Sequence, residues 1–590
     1  MTNLSRGSRR LLLAAMLLSG TAPAALAQNF ERIAPHQPAT PAPQQNLPAP
    51  PVAPALPEGQ KVLVPALTGL AFVGRADQVV KTGVSRPGVS IADGAVMDAD
   101  AFTALMAPYL GRPVTLDLLN EIVRKTVLYF REHDRPLVDV VVPEQKIASG
   151  TVQMVVMEFK AGAVTTEGNE WFADSLLLSA VRTKRGDTIS GQSLLDDVNW
   201  LNENPFRRTD LVYQRGANPG ESDIVLRTRD RLPLRVFGGF ENTGTKTTSE
   251  NRMLAGVNWG NALGLGHLMS YQYTTSPDAF LHPGDGRYTA HALTYQIPLP
   301  WRDTLTLMGS HSRSLPKLGG TLSQAGESAQ VSARYALRLP KLDTVTHSLE
   351  FGADFKRTNN DLEFGGISVS SGFTEVIQGV VGYSATRPDT WGSTGLAVNL
   401  FYSPGGLSDD NTTAAFRPSS THIGRSYADA RYAYLRASLQ RRFDLPEDLA
   451  WVARVQGQWA STNLLSSEQL GAGGADSVRG YGEREANGDQ GVLLTNELHA
   501  PTLSPAALLG LGSAEDDALD LFAFWDYGRV SEKRPLAGSK SAWTLSSVGL
   551  GLRYQMPYGS LRLDWGHAMP GTGLGNTNSD RLHVGVTLAY

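Results

Sequence analysis

The chain has 590 residues and a formal net charge of −4, with no block of lysine or arginine that would mark a nucleic-acid partner. It contains no cysteine, which excludes disulfides, thiolate metal sites and cysteine nucleophiles. At this length a single ordinary soluble core is not expected.

Residues 1–27 read as an export signal. Arg6, Arg9 and Arg10 precede a short apolar run from Leu11 to Leu18, and Ala25-Leu26-Ala27 has the form of a cleavage site before Gln28. Residues 28–60 are expected to form an extended linker, because the stretch from Pro35 to Glu58 is too rich in proline for helix or sheet.

A small α/β module is predicted over residues 61–162. It reads as a strand within Lys61 to Gly74, helices over Asp98 to Leu110 and Thr115 to His133, and strands over Leu137 to Val142 and Thr151 to Phe159. Leu116, Leu119, Val123, Val127 and Phe130 place one apolar face on the second helix. The order repeats over residues 163–230, with a strand near Ala163 to Thr166, helices over Glu170 to Arg182 and Ser190 to Asn202, and strands over Thr209 to Arg215 and Ser222 to Thr228.

From residue 231 to 590 a two-residue alternation replaces helical periodicity. Leu582, Val584, Val586, Leu588 and Tyr590 alternate with Arg581, His583, Gly585, Thr587 and Ala589. About sixteen such segments fit a transmembrane β-barrel, and the connections between them alternate between short turns and long polar loops. Leu299 to Asp303, Leu339 to Asp343, Asp444 to Leu449 and Met556 to Ser560 are short turns, whereas Gly405 to Ser426 is long. The connection from Ser504 to Ala518 is longer than this rule predicts for its side of the barrel. The glycine-rich stretch at about 466–490 falls between strands eleven and twelve, as the sixth long loop.

Catalytic signatures are missing. There is no HExxH and no G-x-S-x-G. The P-loop-like segment Gly239 to Thr247 has its lysine one position late, and the calcium-loop-like Glu483 to Gly488 has Leu494 where a bidentate glutamate is needed. The expectation is a protein that is not an enzyme and uses no cofactor or metal.

Two motifs and three longer segments carry a family resemblance. "SVRGYGE" (Ser477 to Glu483) resembles the sixth-loop signature of POTRA-bearing outer-membrane barrels, through Val478, Arg479, Gly480 and Tyr481. "FAFWDYGRV" (Phe522 to Val530) resembles that superfamily's F-x-D-x-G strand motif, through Phe524, Asp526 and Gly528. The segments 216–230, 241–252 and 260–273 resemble the start of the barrel in two-partner secretion transporters, the TpsB family of haemolysin secretion/activation proteins. The resemblance implies two periplasmic POTRA domains, a monomeric barrel in the outer membrane, and a secreted TpsA-type exoprotein (adhesin, haemolysin or toxin) as partner. It also implies that Arg479 of the sixth loop meets Asp526 inside the barrel. Strand parity agrees: Leu519, Leu521, Ala523, Trp525 and Tyr527 share one face, which turns Asp526 the other way.

The alternatives are an insertase for other barrels, for which two POTRA modules are few, and a porin-like channel, which needs no periplasmic arm. Only about Asn29 to Ala34 precedes Pro35, which is short for a helix that would plug the barrel; the sixth loop is then the expected obstruction.

Overall fold

A computed structural model describes residues 28–40, 60–281, 286–316, 322–364, 367–370, 372–419, 422–513, 517–570 and 579–590. The predicted signal and most of the proline-rich linker lie outside the described residues. The chain divides into two compact units: one comprises residues 40–231, the other the barrel together with the residues before position 40.

The first unit contains two α/β modules. In the first, Gly69–Val73 pairs in parallel with both Gly88–Ile91 and Thr151–Glu158, and Val138–Val141 pairs antiparallel with the latter. The helices Ala99–Met106 and Leu116–Glu132 cover this sheet. Thr115 caps the longer helix by accepting a hydrogen bond from the Leu118 N–H at 3.1 Å. Phe72, Phe102, Met106, Ile122, Phe130 and Met154 fill the core, with Phe72 edge-on to Phe102 at 4.8 Å. The strand at Gly88–Ile91 was not expected, because it follows Pro87 in a glycine-rich stretch too short to show alternation.

In the second module, Glu221–Asp230 lies between Lys160–Glu167 and Arg207–Arg215. Its first helix is only Asp174–Ser179, shorter than its sequence suggests. The modules are tied together. The Asp134 carboxylate accepts from the Gln192 N–H at 2.6 Å and from the Ser190 hydroxyl, at the N-terminus of the helix Gly191–Leu201. Leu137 of the first module enters the core of the second beside Ile189, Leu194 and Val198.

The barrel has sixteen long antiparallel strands in simple up-and-down order, with one short extra strand, Ile367–Ser370, in an external hairpin. They are numbered here in chain order from barrel strand 1 (Leu234–Glu241) to barrel strand 16 (Asp580–Ala589). The ladder closes from Gly585 opposite Glu241 to Ala589 opposite Phe237. The seam is extended at one end by Val236 and Tyr590, which exchange bonds of 3.0 and 2.9 Å. At the other end the Asn242 amide bonds the Leu582 carbonyl and the Val584 N–H. Leu550, Leu582 and Leu588 point outward and are exposed, while Ser547, His583 and Thr587 point inward and are buried. This alternation gives the barrel an apolar belt and a polar lumen.

Residues 28–39 lie inside the lumen. A single helical turn, Gln28–Glu31, puts Phe30 beside Ala290, Ala292 and Met308 of barrel strands 4 (Tyr288–Pro298) and 5 (Thr304–Ser314), and Ile33 packs in the same cluster. Beyond Pro35 the segment is extended. The His36 N–H donates to Gln272 at 3.1 Å and its carbonyl accepts from Asn258 at 3.0 Å. A long helix is therefore not required: wall side chains satisfy the extended backbone directly. Deleting residues 28–39 is expected to leave the barrel folded and to raise its mean conductance in planar bilayers. Unchanged conductance would show that this segment obstructs nothing.

Candidate functional site

The site is the lumen where the sixth loop, residues 461–489, folds back against the wall. The loop connects barrel strands 11 (Ala450–Ala460) and 12 (Gln490–His499). A short hairpin, Leu470–Ala472 with Ala486–Gly488, stiffens its two limbs. Its tip reaches barrel strand 13 (Ala518–Ser531).

At the tip the Arg479 guanidinium grips Asp526 with two parallel bonds. Nε donates to Oδ2 and Nη2 to Oδ1, each at 2.8 Å. The Arg479 backbone N–H adds a third, to Oδ2 at 3.0 Å. Nη1 donates to Glu497 at 2.6 Å, and the guanidinium lies 3.6 Å from the centre of the Phe524 ring. Charge-assisted forked bonds and an aromatic face are what a planar guanidinium offers and an ammonium does not. Arg479 is 3 % exposed and Asp526 0 %.

Shape fixes the same contact. Gly480 has φ +97°, and a Cβ there would stand 3.2 Å from backbone atoms of Gly566 and Ala568. A Cβ on Gly528 would meet the Val478 side chain at 2.8 Å. Glycine at both positions lets the loop backbone approach the wall closely. Tyr481 is buried beside Leu470, Val478, Leu493 and Leu545, and its hydroxyl donates to the Ser546 carbonyl at 3.2 Å. Val478, Arg479, Gly480 and Tyr481 thus meet Phe524, Asp526 and Gly528 in one place.

The motifs did not indicate the rest of the network. Asp564, on barrel strand 15 (Gly559–Ala568), accepts from Arg553 and Arg562, both at 2.8 Å. Arg562 also holds Asp476 of the loop at 2.6 Å. At the root of the loop, buried Glu468 pairs with Lys356 at 2.5 Å and accepts from the Tyr434 hydroxyl at 2.9 Å and the Gln378 amide at 3.2 Å. Those partners stand on barrel strands 7 (Thr346–Phe364), 10 (Tyr432–Asp444) and 8 (Phe373–Asp389). Asp489, at the end of the loop, accepts from Arg425, the Leu464 N–H and the Lys533 N–H, which joins three external connections. The loop therefore bridges the lumen between well-separated stretches of wall. A signal for Lys356 was present in the sequence: Asp354 and Lys356 alternate with Phe351, Ala353 and Phe355, so the charges share the inward face.

Comparisons with known proteins place the chain in a family. The model of the family "Haemolysin secretion/activation protein ShlB/FhaC/HecB" matches residues 220–554. The chain belongs to this family. A ShlB-type POTRA domain matches residues 87–158, within the first α/β module. The heme/hemopexin transporter protein HuxB of Haemophilus influenzae (strain 86-028NP) is 23% identical over 474 residues, covering 77% of this chain and 78% of that protein. The hemolysin transporter protein ShlB of Serratia marcescens is 24% identical over 549 residues, 89% of this chain and 87% of that one. Among solved structures, CdiB from Escherichia coli superposes with a TM-score of 0.67 at 17% identity, covering 100% of both chains, and so shares the fold. The barrel lies in the outer membrane, with the POTRA modules in the periplasm.

Replacing Gly480 by valine places a branched side chain against the backbone of Gly566 and Ala568. The Gly480→Val protein is expected to insert normally but to be cut within residues 466–490 by protease added outside intact cells, where the parent protein resists. Equal resistance would show that close approach at Gly480 does not seat the loop.

Proposed function

We propose that the protein is the outer-membrane export component of a two-partner pair. Its POTRA modules capture an unfolded exoprotein in the periplasm, and the barrel passes that chain to the cell surface. The observation that carries this reading is the combination of a closed barrel, whose lumen holds residues 28–39 and the sixth loop, with a two-module periplasmic arm. A solute pore gains nothing from such an arm, and the polar lumen suits an extended polypeptide, whose backbone groups need partners along the whole path.

The arm offers sheet edges. Gly88–Ile91 and Val138–Val141 are the outer strands of the first module, and Lys160–Glu167 and Arg207–Arg215 those of the second. An extended partner segment can add to such an edge through main-chain hydrogen bonds. The Asp134 tie at Ser190 and Gln192 holds the two modules as one docking surface. The exoprotein is of the haemolysin, adhesin or toxin kind, and the transporter acts as a monomer without a cofactor. Transport needs no catalytic residue, since folding outside the cell withdraws the chain and biases its direction.

In this reading the Arg479–Asp526 pair holds the sixth loop in its transport-competent seat. Removing one partner of a buried pair costs about 3–5 kcal/mol, enough to move the seated-to-unseated ratio by at least about a hundredfold. Arg479→Ala is expected to assemble as a heat-modifiable barrel and to lose most export of its partner. Asp526→Ala should match it, and the double variant should be little worse than either, as for groups acting as a unit. Additive losses would contradict this role.

The docking role has its own test. A chain lacking residues 61–229 is expected to insert its barrel and export no partner. Partner in the medium at the parental level would end the capture reading.

A further inference from the structure

One connection departs from the rule that governs the others. Barrel strands on the periplasmic side are joined by tight turns, such as 299–303, 445–449 and 557–558. Between strands 12 and 13 the connection runs from residue 500 to 517. Its first part, residues 500–513, contains no charged side chain.

This part is a built structure. Leu503 and Leu519 exchange backbone bonds of 2.9 and 2.8 Å, which carries the ladder beyond the end of strand 12. Ser504 then caps the short helix Pro505–Leu508, accepting from the Ala507 N–H at 3.1 Å. Asp517 closes the base: it accepts from the Ala506 N–H at 3.0 Å, the Tyr554 hydroxyl at 2.7 Å and the Ser504 hydroxyl. The N–H groups of Leu508, Leu509, Gly510 and Leu511 all donate to carbonyls between Ser504 and Ala507, at 2.8–3.2 Å. Pro501 and Pro505 have no N–H to satisfy.

On this base three leucines are exposed. Leu508 is 73 % exposed, Leu509 72 % and Leu511 79 %. Their surroundings identify what covers them. Leu503 pairs with Leu519, which shares the outward face of strand 13 with exposed Leu521 and Trp525. Leu503 therefore continues the lipid-facing belt beyond its edge, and the three exposed leucines follow it in the same connection. Trp301, Trp391 and Tyr558 are exposed on other turns of the same rim, as aromatic residues are at the boundary between hydrocarbon and headgroups. A segment whose N–H groups from residue 506 to 511 are all bonded, and whose residues 500–513 carry no charge, is fit for that layer, where unmet polar groups are costly.

We propose that residues 500–513 form a membrane anchor, with Leu508, Leu509 and Leu511 inserted among the phospholipids of the periplasmic leaflet. The anchor fixes the level of strands 12 and 13 in the bilayer. Those two strands carry Glu497 and Asp526, the wall partners of Arg479, so the anchor holds the receiving wall of the sixth loop steady while a chain passes.

The absence of cysteine allows a direct test. The full chain with Leu509→Cys, labelled with an environment-sensitive NBD dye, is placed in vesicles of phosphatidylethanolamine and phosphatidylglycerol. Leu521→Cys on the belt serves as the lipid reference, and Ser539→Cys in the external connection 532–541 as the water reference. The dye at position 509 is expected to be quenched by nitroxides on the acyl chains to the extent seen at 521, and to resist aqueous iodide. Quenching by iodide as at 539 would overturn the proposal. Protection from both quenchers would also overturn it, because it would place the leucines against protein, either a second copy or the periplasmic arm.

Discussion

A backbone amide facing hydrocarbon has no water to bond, so a sheet that crosses a membrane must close on itself. In this chain everything else follows from that closure. The seam between barrel strands 1 and 16 pairs over a short stretch and is lengthened by the Asn242 side chain, which continues the ladder where the main chain of strand 1 ends. Once the ladder is closed, the two-residue period gives each side chain one of only two destinations, lipid or lumen. The charged side chains Arg334, Asp354, Lys356, Arg436, Asp526 and Asp564 take the lumen side and are all buried.

A lumen lined with charge would ordinarily be wet. Here much of it is covered by the chain's own segments, and the buried ions are consequently paired with care. Arg479 makes bonds to two carboxylates and lies on an aromatic face, and Glu468 is met by a lysine, a tyrosine and a glutamine. Such pairing is worth little as stability relative to a well-packed apolar core, but breaking one side of it is expensive. That asymmetry suits a loop that must keep one position yet lie in the path of a translocating chain.

Much of this was legible in the sequence. Strand 13 shows why: its outward residues Leu519, Leu521, Ala523, Trp525 and Tyr527 form an unbroken set, so the parity of Asp526 can be read without coordinates. The strand count placed the glycine-rich stretch between strands 11 and 12, and Gly480 and Gly528 are needed for a close approach between those elements. Other features had no comparable signal. Glu468 lies in a loop without periodicity, so nothing local indicates that it reaches Lys356 more than a hundred residues away. The strand Gly88–Ile91 is too short to alternate and gains its place from pairing with Gly69–Val73. The segment 28–39 is too brief and too proline-rich for a plugging helix. An extended chain bonded to the side chains of Asn258 and Gln272 fills the space instead.

The central claim is that the tip of the sixth loop sits against strand 13 in the assembled protein. The Val478 side chain lies 2.8 Å from where a Cβ on Gly528 would stand, so a sulfur in place of the Val478 methyl would lie against the β-carbon of a cysteine at 528. The most direct measurement is disulfide formation in the Val478→Cys, Gly528→Cys double variant in intact outer membranes, since no native cysteine competes. The account predicts near-complete bridging without added oxidant, with export of the partner restored on reduction if the bridge arrests it. Two free thiols, both reactive towards a maleimide added outside the cell, would contradict it.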